Sequence, residues 1–97
     1  MITLPIKRKW FDMIASGEKL EEYRAMTPRY ATMFRNASDA HDCFWCILRN
    51  GYSLTSPAIK LYVKLCVGTG NPNWGAEPDK TYFVLRILKK ERCRSDA

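Results

Sequence analysis

The segment "IKLYVKLCV" alternates along its length. Ile59, Leu61, Val63, Leu65 and Val67 share one face, and Lys60, Tyr62 and Lys64 share the other. That period of two is the mark of a β-strand with one wet side. "TYFVLRIL", Thr81 to Leu88, is apolar on both faces apart from Arg86, which predicts a strand covered on both sides. "CFWCILR" has the aromatic and β-branched content of a third strand, and Asn50-Gly51 behind it is a tight-turn signal, because both residues tolerate positive φ. "ITLPI" predicts a short opening strand that Pro5 confines to an edge or a strand end.

The period changes in "KWFDMIAS", where Trp10, Met13 and Ile14 recur at helical spacing and Gly17 is placed to end the helix in the left-handed conformation. Thr27 and Pro28 have the residue types of an N-cap and a first-turn proline, opening a second short helix, "PRYATMF". No internal repeat, low-complexity tract or linker interrupts the chain, so one domain over 1–97 is expected. The expected class is α+β: two short helices near the N-terminus and about five strands forming a small curved sheet or barrel.

Apolar runs such as "FWCIL" are far shorter than the roughly 18–20 residues a bilayer requires, so no membrane partner is expected. "MITLPIKRKW" has no apolar stretch after its charges and no small-residue cleavage site, which leaves a cytoplasmic location as the expectation. The formal charge of +6 favours anionic partners; part of it is clustered in "KRK" (Lys7 to Lys9) and in "RILKKERCR" (Arg86 to Arg94). Cys43, Cys46, Cys66 and Cys93 are expected to be reduced. "HDCFWC" offers His41, Cys43 and Cys46 as metal ligands, but a strand would turn the two thiols to opposite faces, and Cys66 and Cys93 stand alone. No metal is expected. Nor is a cofactor: "GTG" is followed by no GKS or GKT and opens no helix.

"SGEKLEEYR", Ser16 to Arg24, crowds five charges into nine positions. By propensity it continues the first helix as a solvated face; as an extended chain it sets Leu20, Glu22 and Arg24 on one side, able to pair or to bracket a polar ligand. The residue types alone leave both open. Gly17, Lys19, Glu22 and Arg24, however, stand in the order G-x-K-x-x-E-x-R, which resembles the signature of the ASCH domain (activating signal cointegrator homology). Around it, "LPIK", a helix, "TPRY" and the loop "GTGNPNWGAEP" are similar to short bacterial and phage-type members. The likeness covers most of the chain and is weakest over Phe34 to Thr55.

The resemblance implies a PUA-like β-barrel in which the helix stops at Gly17 and Leu20 to Arg24 is a strand lining a cleft. It also implies that Lys19, Glu22 and Arg24 contribute to binding RNA or a nucleotide-like ligand there. Arg24 suits a phosphate or carbonyl oxygen, Glu22 a base N–H or a proton transfer, and Lys19, beside a like charge, the role of base or nucleophile. The plain alternative is an ordinary surface salt-bridge cluster. Lys7, at a helix N-terminus with Arg8 and Lys9, is a candidate for a positive rim, facing the same cavity as Glu22 and Arg24. Trp74 is either a stacking surface for a base or, the preferred reading, a plug over the open barrel end.

Some ASCH-like proteins are hydrolases of acetylated cytidine or of RNA, so a hydrolase using Lys19, Glu22 and Arg24 is the second expectation. Glu22 stands where the amidohydrolase signature has Thr, and Glu77 is the nearest match to that branch's downstream acid. A protein-interaction module built around Trp45 or Trp74 is the third.

Overall fold

The computed structural model of the protein describes residues 1–92. The chain runs β1 (Ile2–Pro5), α1 (Arg8–Ser16), β2 (Glu21–Arg24), α2 (Pro28–Ala37), β3 (Cys43–Arg49), β4 (Ala58–Thr69), a 3-10 turn (Pro72–Trp74) and β5 (Thr81–Arg92). The strands form one sheet in the order β1-β3-β4-β5-β2, parallel only between β1 and β3. The edge strands β1 and β2 share no ladder. The sheet curls until Arg24 on β2 donates to the carbonyl of Pro5 on β1 at 2.7 Å, giving a half-barrel whose seam is spanned by a side chain. No described helix is long and apolar enough to cross a membrane.

The core lies between the inner face of the sheet and the two helices. Leu4, Phe44, Cys46, Leu48, Ile59, Leu61, Val63, Phe83 and Leu85 come from strands, Ile14 from α1 and Phe34 from α2. Phe34 is the hub. It stacks on Tyr30 and Phe44, at 5.3 and 5.6 Å between ring centroids, and meets the edge of Phe83 at 5.4 Å. Thr27 caps α2 as its residue type predicts, accepting from the Tyr30 N–H. On α1, Trp10 and Phe11 pack beside Ile14, so Phe11 takes the place expected for Met13.

The alternation of β4 holds from Ile59 to Val63 and then fades outward: Leu65 is half-buried and Val67 exposed, because the strand runs on past the core. In β5 the expectation of two covered faces is met from Tyr82 to Leu85. Phe83 and Leu85 point to the core, while Tyr82 and Val84 pack outward against Ala76, Tyr23 and Cys66. Leu88 is the extra residue of a bulge, since Tyr62 pairs with Lys89 and Val63 with Ile87. Its exposure corrects the expectation that this end is covered.

Asn50-Gly51 does not close a two-residue hairpin. Gly51 has a φ of 129°, but the connection extends to Pro57, held by Asn50 N–H donating to the Pro57 carbonyl and by Arg49 donating to the carbonyls of Ser53, Leu54 and Ser56. Cys43 and Cys46 are both buried. Cys46 sits in the core and Cys43 points the other way, its thiol donating to the His41 carbonyl. Cys93 and Arg94 lie outside the described residues.

Gly17 ends α1 at a φ of 88°, its N–H donating to the Ile14 carbonyl. Nothing stands within 4 Å of where its β-carbon would be, so the left-handed backbone is the only obstacle to a larger residue. Gly17→Ala is therefore expected to destabilise by about 1–2 kcal/mol, lowering the thermal midpoint by several degrees. A raised midpoint would mean that the helix tolerates continuation through Gly17.

Candidate functional site

Three charged side chains of the motif meet inside the protein. Lys19, Glu22 and Arg24 are 1%, 6% and 9% exposed. Their meeting follows from local geometry. After Gly17 the chain turns back, and the Lys19 N–H donates to the Met13 carbonyl of α1. This turn points Lys19 inward. Leu20, expected on the inner face with Glu22 and Arg24, is 54% exposed and lies before the strand; its carbonyl extends the ladder by accepting from the Ile87 N–H. The reason is that residues 17–20 follow a turn and not the period of two that begins at Glu21. Within β2, Glu22 and Arg24 face inward together as expected.

The Glu22 carboxylate is shared. One oxygen lies 3.2 Å from Lys19 Nζ and the other 2.7 Å from an Arg24 terminal nitrogen. Lys19 Nζ also donates to the Trp74 carbonyl at 2.6 Å, and the Tyr23 and Trp10 rings lie 4.7 and 5.4 Å from it. Burial lowers the Lys19 pKa, against the raising effect of Glu22. Arg24 reaches Pro5 as described and the Tyr30 hydroxyl at 3.4 Å, while its Nε–H is buried without a partner. Two cations thus surround one anion, and one donor is left unsatisfied.

The aromatic wall is itself fixed. The Tyr23 hydroxyl donates to Glu21 at 2.8 Å and accepts from the Asn71 N–H at 2.8 Å, which ties the 70–78 loop to β2. Gly70 is required by this closeness: a β-carbon there would stand 2.7 Å from the Tyr23 ring and 2.6 Å from Ala76. Burial, first, pushes the Tyr23 pKa up to about 12.

The cluster is not an open cleft. Lys19 is sealed beneath aromatic rings and the loop, and two surface hollows flank Pro5 instead. One, of about 410 Å³, is lined by Thr3, Pro5, Thr27, Arg29, Tyr30 and Met33. The other, of about 440 Å³, is lined by Pro5, Ile6, Lys7, Asn50, Gly51 and Tyr52. Lys7 therefore stands on the surface beside the seam, at the N-cap of α1 without a side-chain capping bond, and outside the buried cluster. Trp74 joins through its main-chain carbonyl, its side chain half-buried. Glu77 pairs instead with Lys80 on the surface at 3.7 Å.

Arg29 and Tyr30 were not singled out by the sequence. They stand directly behind the Thr27 cap, which fixes α2 against the seam, and that placement is the only local signal they carry. Trp10 is legible only as part of the apolar face of α1 and Tyr23 not at all, since only the fold brings them to Lys19.

Glu22→Gln would leave two buried cations without a counter-charge. A loss of about 3–5 kcal/mol in urea unfolding is expected, against under about 1 kcal/mol were this an exposed pair. Burial also pushes the core thiol of Cys46 from its usual 9.0 up to about 12. A proton retained only in the folded state contributes stability below pH 9, and that stability is lost as pH rises through the interval. Wild type should thus lose stability relative to Cys46→Val above about pH 9, in urea melts at stepped pH; Lys19 acts with the opposite sign, but equally in both proteins. A difference constant from pH 7 to 10.5 would mean that the thiol titrates normally. No family model, curated protein or solved structure matches this chain.

Proposed function

We propose that the protein is an RNA- or nucleotide-binding module of the ASCH type, a PUA-like barrel whose ligand docks at the seam around Pro5. The observation that carries this is the surplus of buried positive charge at Glu22. A buried ion cluster roughly breaks even against apolar packing, and beyond the two carbonyls to which Lys19 and Arg24 donate, this one keeps a net positive charge and an Arg24 N–H unmet. Arg24 is buried like the other two but lies directly behind Tyr30, which lines one of the hollows. Its contact to Tyr30, at 3.4 Å, is at the weak limit of a hydrogen bond, and a phosphate or carbonyl oxygen entering the hollow beside Tyr30 would meet the guanidinium with better geometry. Lys7 and Arg29, one on each side of Pro5, supply surface charge for the backbone of the ligand. Trp74 enters through its carbonyl, as the part that holds Lys19 in place.

A second reading, hydrolysis of a modified nucleoside or of RNA, draws on the depressed pKa of Lys19. Lys19 would act as base or nucleophile, Glu22 would carry the proton and Arg24 would stabilise developing negative charge. Nζ is committed to the Trp74 carbonyl and Glu22, so the 70–78 loop has to move before Lys19 can act.

Titration of labelled single-stranded RNA at two salt concentrations tests the binding reading. Arg24→Lys, which keeps the charge and loses the fork, and Lys7→Ala with Arg29→Ala should each weaken binding, the surface pair also lowering the salt slope by about 1.4 at roughly 0.7 per phosphate contact. Affinity indifferent to both sinks the seam assignment. Turnover of acylated nucleosides that disappears in Lys19→Ala would establish the second reading.

A further inference from the structure

The outer face of the sheet carries a second arrangement, independent of the seam. Trp45, Tyr62 and Lys89 stand side by side across β3, β4 and β5, being direct register partners. The two rings lie 5.1 Å apart at 41°. Lys60 Nζ is 4.8 Å from the Trp45 ring and Lys89 Nζ 5.6 Å from the Tyr62 ring. In the neighbouring row Lys64 pairs with Arg86. Successive side chains on one sheet face stand about 5 Å apart across strands, so these two aromatics and four cations form one continuous patch.

The acids of the patch are already occupied. Glu91 lies 3.9 Å from Lys60 and Glu21 3.7 Å from Arg86. Asp39 accepts from the N–H groups of His41 and Cys43 and from the Tyr62 hydroxyl. Among the described residues Lys64 and Lys89 have no carboxylate partner, so their charge is available to an outside anion. At the end of this face, Trp45 also forms a wall of a hollow of about 530 Å³ with Met1, Ile2, Met33, Asn36 and Phe44. The hollow is mostly apolar, and the Asn36 amide adds a donor and an acceptor at its edge.

We propose that this outer face is a docking surface for single-stranded nucleic acid, with bases stacking on Trp45 and Tyr62 and phosphates meeting Lys64 and Lys89. Half-exposed rings flanked by uncommitted lysines suit that ligand. A protein partner would have to strip water from those lysines at the centre of its interface, where lysine is depleted, whereas a strand of nucleic acid offers π-faces and phosphates together. A duplex hides its base faces in the stack and cannot use the rings. The surface is separate from the seam, and variants confined to each tell the two apart.

The test is fluorescence anisotropy with a labelled oligouridylate of about twelve nucleotides, within the span of known single-strand sites, on the full chain at low and moderate salt. Lys64→Glu with Lys89→Glu changes exposed side chains and should leave the fold intact by circular dichroism while weakening binding at least tenfold. Trp45→Ala should weaken it about tenfold with the salt slope kept, Trp45→Phe should restore most of the affinity, and Trp45→Leu, which keeps apolar bulk without a π-face, should not, whereas a loss of packing alone would be rescued by both. Arg24→Lys acts only at the seam, so the loss caused by the lysine reversals should be the same in its presence and in its absence. Affinity unchanged by the lysine reversals, or lost only in Arg24→Lys, overturns the outer-face proposal and leaves the seam; binding lost only through the lysines supports the outer face and counts against the seam. Absence of binding at low salt overturns both. Duplex RNA bound as tightly as the single strand, or self-association dependent on Trp45, would also overturn the proposal.

Discussion

Glu22 stands between two buried cations, and through them its carboxylate connects parts of the chain that share no strand pairing. Through Lys19 it reaches the Trp74 carbonyl and so the loop between β4 and β5. Through Arg24 it reaches the Pro5 carbonyl and so the opposite edge of the sheet. Apolar side chains of the same volume could fill this space, and such replacements are often neutral or stabilising. They could not donate to two inward-facing carbonyls. The half-barrel leaves the Pro5 carbonyl at its seam because β1 and β2 do not pair, while the 3-10 turn presents the Trp74 carbonyl to Lys19; a carbonyl buried without a donor would cost about 1–3 kcal/mol. The ionic cluster is therefore tied to the topology: Arg24 spans the gap of the unclosed sheet, Lys19 holds the loop, and the two donors need an anion.

The position of that anion is decided at Gly17. If α1 continued, Lys19 would follow the helix surface. The left-handed residue turns the chain instead, Lys19 is anchored by its own N–H to Met13, and the period of two begins only at Glu21. A further contact holds the same helix end. Lys90, on the inner face of β5 opposite Leu61, donates to the carbonyls of Ile14 and Ala15, where the helix dipole favours a cation. The C-terminal end of α1 is thus fixed from the sheet while its N-terminal end carries Lys7, Arg8 and Lys9 with no acid in the first turn. Arg8 finds Asp12 one turn on at 3.5 Å and Lys9 the Trp10 ring, so Lys7 is the cation of the three that stays on the surface beside the seam.

What the sequence made legible were features whose cause is local. The strand Cys43–Arg49, the Thr27 cap, the Gly17 stop and the inner face of Ile59 to Val63 each depend on residues within a few positions of one another. The parts that were not legible depend on distant residues. Nothing near Leu20 says that it will be displaced outward, because the displacement comes from a bond to α1. Nothing near Asn50 says that the connection will run to Pro57, because Arg49 gathers three carbonyls of the loop to stabilise a longer path. The site divides in the same way: which charges face together within β2 followed from alternation, but their burial under Trp10, Tyr23 and the 70–78 loop follows from packing.

That burial separates the two surfaces of the protein by mechanism. At the seam, charge lies beneath the surface, where water is excluded and each contact is strong, but a ligand must displace an existing partner to reach it. On the outer face the charge is solvated and screened, each contact is weak, and no partner has to be displaced. Tyr62 shows how the second kind of surface is kept rigid at little cost: its ring lies between Trp45 and Lys89 while its hydroxyl is held by Asp39, a carboxylate itself fixed by two backbone N–H groups. Those bonds also explain the two perturbed titrations of this face. The Asp39 carboxyl is held below its ordinary range by the N–H donors of Cys43 and His41, and the Tyr62 hydroxyl, donating to that carboxylate, is pushed up to about 12. These contacts fix the ring in one orientation, and a surface ordered in advance would lose less entropy on binding than one that had to be ordered by its ligand.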